Sequence, residues 1–186
     1  MSAQLERWHF NVDQYYRLAE VGVLQPDDRV ELIEGEIIKM RPIGSPHAAC
    51  VKRASYVLRD ALGDRAIVSV QDPVRLNEFS EPIPDIALLR PRKDFYADHH
   101  PTPAEVLLII EVSDTTILSD RNVKVPLYAR AGIPETWLVN LNKNQIEVYY
   151  HLSEGRYEEF AKFKAGDTII SPTVAALSLK VDELIG

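Results

Sequence analysis

Three residues of this chain have the types and spacing to do chemistry together. Asp85 stands in PIPDIALLR, Glu111 in VLLIIEVS and Lys124 in LSDRNVK. Both acids interrupt short apolar runs, where an unpaired buried charge is expensive. A carboxylate placed there has a cation partner, a metal or a catalytic duty. Side chains alternate along a strand, so Glu111 shares a face with Ile109 and Ser113, and Asp85 with Ala87 and Leu89. If the two runs pair, their carboxylates converge at one end of a sheet. Two hard oxygen donors, a backbone carbonyl and waters are the ligands Mg²⁺ takes. A Mg²⁺ so held activates water and neutralises charge on a phosphodiester. Lys124 would position the water or stabilise the phosphate. The plainer alternatives are an Asp85 that caps backbone amides, a Glu111 paired with Arg75 or Arg121, and a solvated Lys124 at a helix start.

The flanking elements must bring these residues together. Residues 11–21 (NVDQYYRLAEV) carry Val12, Tyr15, Leu18 and Ala19 at helical spacing. After a turn at Pro26-Asp27-Asp28, VELIEGEIIKM reads as a hairpin that reverses at Glu34-Gly35. Ser45-Pro46-His47 opens a helix, with Ser45 as N-cap and Pro46 at the first helical position, running to about Leu62 before Gly63. AIVSVQDPVRL, PDIALLR and VLLIIEVS follow as strands; the last two are apolar enough to be buried on both faces. In the first of them Gln71 is a strand amide or a residue that orients water. PRKDFYADHHPTP is an exposed loop.

Residues 125–131 form a helix that ends at Gly132. Pro126 cannot sit deep in a helix, so Lys124 lies in the first turn or at a kink, with Asp120 as N-cap. Tyr128 falls four residues after Lys124 on the same face, as core packing. WLVNL and IEVYYH pair as a hairpin through Asn142-Lys143-Asn144. EEFAKF and LSLKVDELIG complete the chain. This order predicts an α/β fold with one mixed sheet, in a single domain over residues 1–186.

Composition narrows the function classes. The chain has 186 residues, 46% of them hydrophobic, and a net charge of −7. The core is large enough for one domain. The acidic balance argues against broad adhesion to nucleic acid or anionic membrane, but permits an acidic metal pocket. Cys50 is the single cysteine, so no intrachain disulfide forms. MSAQLERWHF lacks the layout of a signal peptide, and no apolar run is long enough to span a bilayer. A cytoplasmic location is the expectation.

Pro84-Asp85, Glu111-Val112-Ser113 and Lys124 resemble the PD-(D/E)XK nuclease pattern. More narrowly, the chain resembles the Uma2 family. The stretches that carry the likeness are ELIEGEIIKM, SPH, PIPDIAL, LLIIEVSDTT, SDRNVKVPLYARAGIPETWLV and the closing hairpin. The resemblance implies a restriction endonuclease-like core, a central mixed β-sheet flanked by helices with an N-terminal helix–hairpin extension. It implies a DNA endonuclease that uses Mg²⁺ or Mn²⁺, with Asp85 and Glu111 as metal ligands and the Val112 carbonyl beside them. The general pattern places lysine two residues after the acid, where this chain has Ser113; the resemblance implies that the lysine has moved to Lys124. Family members carry an acid in the first hairpin and a histidine after it. Glu31 or Glu34, and His47, occupy those places. Glu31 lies within the strand and Glu34 at the turn, and the sequence leaves both open. Cutting duplex DNA favours a two-fold homodimer or higher homo-oligomer. Two other classes stay open: a nuclease-like binding or assembly module that does not cut, and a hydrolase of another phosphoester.

Overall fold

The structure, a computed structural model, describes residues 7–186. The first six residues of the N-terminal stretch tested above for a signal peptide lie outside the described residues. Among the described residues, the central sheet has six strands in the order β3-β4-β5-β6-β7-β8. These are β3 (Ile67–Val70), β4 (Ile86–Leu89), β5 (Val106–Ser113), β6 (Thr136–Asn140), β7 (Gln145–Ser153) and β8 (Arg156–Lys164). All neighbours run antiparallel except β5 and β6, which are parallel and therefore need the helical crossover between them. The mixed α/β architecture expected from the element order is the one observed.

Alternation along the buried strands makes two cores. Ile86, Leu88, Leu108, Ile110 and Val112 pack on one face with α2 (Ser45–Leu62) and α5 (Val181–Ile185). Ala87, Leu89 and Ile109 pack on the other with Leu127, Tyr128 and Ile133. The second face is closed by α4 (Val125–Ala131), which stops at Gly132, left-handed at φ 91°. By the same alternation, Asp85 and Glu111 point to the α4 side, at the end of the sheet where the apolar rows stop.

The N-terminal extension is α1 (Val12–Glu20) followed by the hairpin β1 (Val30–Ile33) and β2 (Glu36–Lys39). Asn11 and Gln14 form a reciprocal capping box at the start of α1. Ala19, grouped above with the buried face of α1, is exposed. The hairpin turn places Glu34 at φ 49° and Gly35 at φ 81°. Gly35 also has no room for a side chain, since an added Cβ would meet the His9 Cβ at 2.5 Å. The hairpin docks through Glu81 N–H to the Leu32 carbonyl and Gly35 N–H to the Phe79 carbonyl, both 2.8 Å.

Two local expectations are corrected. The N-cap of α2 is Gly44, without a side-chain cap, and Ser45 is already helical. Helical backbone also begins before Asp120, in the short α3 (Ile117–Ser119), and passes through a π-helical turn, Asp120–Lys124, into α4. Asp120 is therefore not an N-cap. Pro126 supplies the reason for the wide turn: its ring would clash with the carbonyl four residues back in an ordinary helix. The Val125 N–H accordingly reaches five residues back, to the Asp120 carbonyl. A short antiparallel pair, β9 (Thr168–Ile170) and β10 (Ser178–Lys180), ends the chain before α5; β9 is not among the strands expected above.

Candidate active site

The β4–β5 ladder pairs Ile86 with Ile110. One step further along the same register, Asp85 stands opposite Glu111. The Asp85 Oδ2 accepts the Val112 N–H at 2.9 Å, which ties the acid directly to β5. The two carboxylates thus lie side by side at the floor of a cleft of about 820 Å³. Its walls are the β1–β2 hairpin and the segment from Asp114 to Lys124.

Lys124 completes the cluster. Its ammonium is 3.1 Å from Glu31 Oε2 and 3.3 Å from Glu111 Oε1. Glu111 is 3% exposed, and Asp85 and Lys124 are each 9% exposed. The π-helical turn is what places the lysine there. It is held at two points: the Asp120 carboxylate accepts the hydroxyls of Ser113 and Thr116, and Arg121 makes a two-pronged bond to Glu147 of β7 at 3.0 and 2.9 Å. Glu147 is buried, while the Arg121 side chain is 33% exposed.

The first-hairpin acid that reaches the site is Glu31. Its Oε2 also accepts the Ile83 N–H at 3.1 Å. Glu34, at the tip of the turn, has a side chain 59% exposed and pairs instead with Arg130 at 2.7 Å. His47, in the first turn of α2, contacts Asp85 Oδ2 through Nε2 at 3.1 Å; facing a carboxylate, that nitrogen is the donor. Its Nδ1 is buried with no hydrogen-bond partner among the described residues. Gln71 donates its amide to Asp85 Oδ1 at 3.1 Å. It does so from a left-handed backbone, φ 56°, a strained conformation for a non-glycine residue. The alternative of an arginine beside Glu111 is not met: Arg75 pairs with Asp13, and Arg121 with Glu147.

The sequence pattern missed one contact. Tyr128, expected only as packing, is fully buried and donates its hydroxyl to Glu111 Oε1 at 2.5 Å. The signal was its spacing four residues after Lys124, which puts both side chains over the same strand.

Charge in the cluster follows from these contacts. Burial drives the Glu111 carboxyl up to about 8, against the pull of the Lys124 ammonium. Burial alone would lower the Lys124 amine, but Glu111 and Glu31 outweigh it and hold the amine protonated well above its ordinary range. Burial would also raise Asp85, yet the hydrogen bond and charge of His47, with the Val112 N–H and the Gln71 amide, hold it below the ordinary aspartate value. The His47 imidazole is raised in turn, chiefly by its bond to Asp85.

Among the described residues, no group of three or more His, Cys, Asp or Glu side chains is arranged to hold a metal unaided. The donors on offer are the Asp85 and Glu111 carboxylates and the Val112 carbonyl. This all-oxygen partial shell fits a hard cation such as Mg²⁺, which keeps several of its own waters. Each carboxylate has capacity left. Asp85 Oδ1 accepts one bond, from Gln71, and a carboxylate oxygen has two lone pairs. Glu111 Oε2 accepts no hydrogen bond among the described residues.

A mixed sheet that sets two acids at the end of adjoining strands, with a lysine from the next helix against one of them, has the layout of a nuclease-like protein. A crystal structure of a "putative nuclease" from Anabaena variabilis ATCC 29413 has this fold, with a TM-score of 0.70 over 95% of this chain and 97% of that one, at 16% identity. The chain belongs to the Uma2 family, described as "Putative restriction endonuclease", which it matches over residues 12–182. No curated protein sequence matches it. No helix among the described residues is long and apolar enough to cross a membrane.

Proposed function

We propose that this chain is a metal-dependent DNA endonuclease that hydrolyses phosphodiester bonds. The observation that carries the proposal is the direct apposition of Asp85 and Glu111, one step beyond the β4–β5 ladder, with the Lys124 ammonium 3.3 Å from Glu111. A Mg²⁺ or Mn²⁺ ion bound by Asp85, Glu111 and the Val112 carbonyl would polarise the phosphate and make the attacking water more acidic. Lys124 supplies a fixed positive charge beside the place where negative charge grows on the phosphoryl oxygens. Glu31 aims that ammonium, and is itself held by the Ile83 N–H. His47 and Gln71 fix the Asp85 carboxylate in one orientation. Glu34 has no part in this machinery.

On this reading residues 1–186 form a single nuclease domain that acts in the cytoplasm on duplex DNA. A homodimer would cut both strands, and light scattering at the dimer mass supports that arrangement while a monomer mass removes it. The activity is tested with supercoiled plasmid and Mg²⁺ or Mn²⁺. Purified protein nicks or linearises the plasmid, and Asp85→Ala does not; equal cutting by both proteins would assign the activity to a contaminant.

A second reading, a nuclease-like binding or assembly module that does not cut, draws on one observation. Asp85 already accepts hydrogen bonds from His47, Gln71 and Val112. Calorimetry with Mn²⁺ separates the two: the module takes up no metal at millimolar concentration.

A further inference from the structure

We infer that Tyr128 is a positioning residue of this site: its buried hydroxyl ties down Glu111 Oε1, so that Oε2 alone is presented to the cleft to take a divalent cation. The inference rests on the metal-dependent reading above and adds to it a residue that acts through Glu111.

A glutamate side chain has three torsions, and its terminal torsion is broad. A single contact from Lys124 would leave the Glu111 carboxylate free to rotate and offer either oxygen. Two donors on the same atom remove that freedom. Lys124 Nζ lies 3.3 Å and the Tyr128 hydroxyl 2.5 Å from Oε1. Tyr128 is well suited to the role. It projects from α4 against β5, its ring lies in the apolar core with Ile109, Leu127 and Ile133, and no part of it is exposed. The hydroxyl has no other hydrogen-bond partner among the described residues. Core packing alone would be met equally well by phenylalanine, which would bury no hydroxyl.

The partners that orient a metal-binding side chain typically account for ten- to a hundred-fold in metal affinity. Tyr128→Phe removes one oxygen and keeps the ring. Calorimetry on full-length protein, titrated with Mn²⁺ alone, should show wild-type uptake that depends on Glu111. In Tyr128→Phe the affinity should fall about ten-fold or more, with the unfolding temperature little changed. Tyr157→Phe is the control: this buried hydroxyl bonds Thr136 and the Ile133 carbonyl away from the cleft, and its loss should leave Mn²⁺ affinity unchanged. In cleavage assays the Tyr128→Phe defect should be overcome by raising Mn²⁺, whereas a general packing defect would not respond.

A folded Tyr128→Phe with wild-type Mn²⁺ affinity overturns the inference and leaves the nuclease reading standing. Absence of Mn²⁺ uptake by the wild type overturns both. If Tyr128→Phe does not fold, wild-type protein labelled at tyrosine Cζ decides. The Tyr128 resonance should move on Mg²⁺ addition while that of Tyr157 does not, and a Tyr128 signal that stays still overturns the inference.

Discussion

Replacing Lys124 by Met strands a carboxylate, and the size of the penalty follows from the contacts. The ammonium lies 3.1 Å from Glu31 and 3.3 Å from Glu111. At an effective dielectric near 20, a contact of this length between two full charges is a gross attraction of roughly 5 kcal/mol, before desolvation is subtracted. With Glu111 raised to about 8 by burial, it carries little charge at neutral pH. Glu31, also buried, is then the partner left alone. Its escape is to take up a proton. For a glutamate of unfolded pKa ~4.3, holding that proton at pH 7 costs about 3.7 kcal/mol, within the roughly 3–5 kcal/mol seen when one member of a buried pair is removed. In a domain of this size that is a fall in Tm of about 7–15 °C.

The sign of the pH dependence is fixed by the same step. The stranded carboxyl has a raised pKa in the folded variant, so the variant's deficit grows as pH rises from ~4.3 and shrinks as pH falls. At pH 5 the penalty is about 1 kcal/mol, or roughly 2–4 °C. Circular dichroism melts of wild type, Lys124→Met and the exposed control Lys164→Met at both pH values measure it. A deficit under about 3 °C at pH 7, or one that is as large at pH 5, would refute the claim that Lys124 neutralises a buried acid.

Three other outcomes are expected. Glu34→Gln should change plasmid cleavage by no more than about twofold, since its pair with Arg130 is exposed and such pairs contribute ~0–1 kcal/mol; a large loss would return Glu34 to the site. Glu147→Gln should destabilise the fold by about 2–3 kcal/mol at pH 7, because it weakens two charge-assisted bonds to Arg121. Burial would raise the Glu147 carboxyl, but Arg121, with the Tyr149 hydroxyl and Lys162, lowers it below its ordinary 4.5; the contribution of Glu147 is present above that value and lost as pH falls through the lowered one, so chemical denaturation should show variant and wild type converging in acid. Gly35→Ala should lower stability by at least ~1–3 kcal/mol for the left-handed backbone alone, with the close approach to His9 adding to it; a melt that matches wild type would mean that the turn can be rebuilt.

The sequence alone determined most of the frame. Short, nearly continuous apolar runs gave the strands around Asp85 and Glu111, helical spacing gave α1, Glu34-Gly35 the first turn, and Gly132 the end of α4. These signals are local, because each depends on a residue's own backbone preference or on neighbours a turn away. Asp85 and Glu111 were legible as charges out of place in apolar surroundings, and Lys124 through the family resemblance. What only the tertiary structure decided is which atoms meet. The choice of Glu31 over Glu34 depends on how the hairpin docks against Glu81 and Ile83, some fifty residues on. The π-helical turn that aims Lys124 depends on Pro126 together with distant pins at Ser113 and Glu147. The hydroxyl of Tyr128 looked like core because a helical face shows direction but not the partner it meets. Contacts between residues far apart in the chain are selected by packing as a whole, and no short stretch of sequence encodes them.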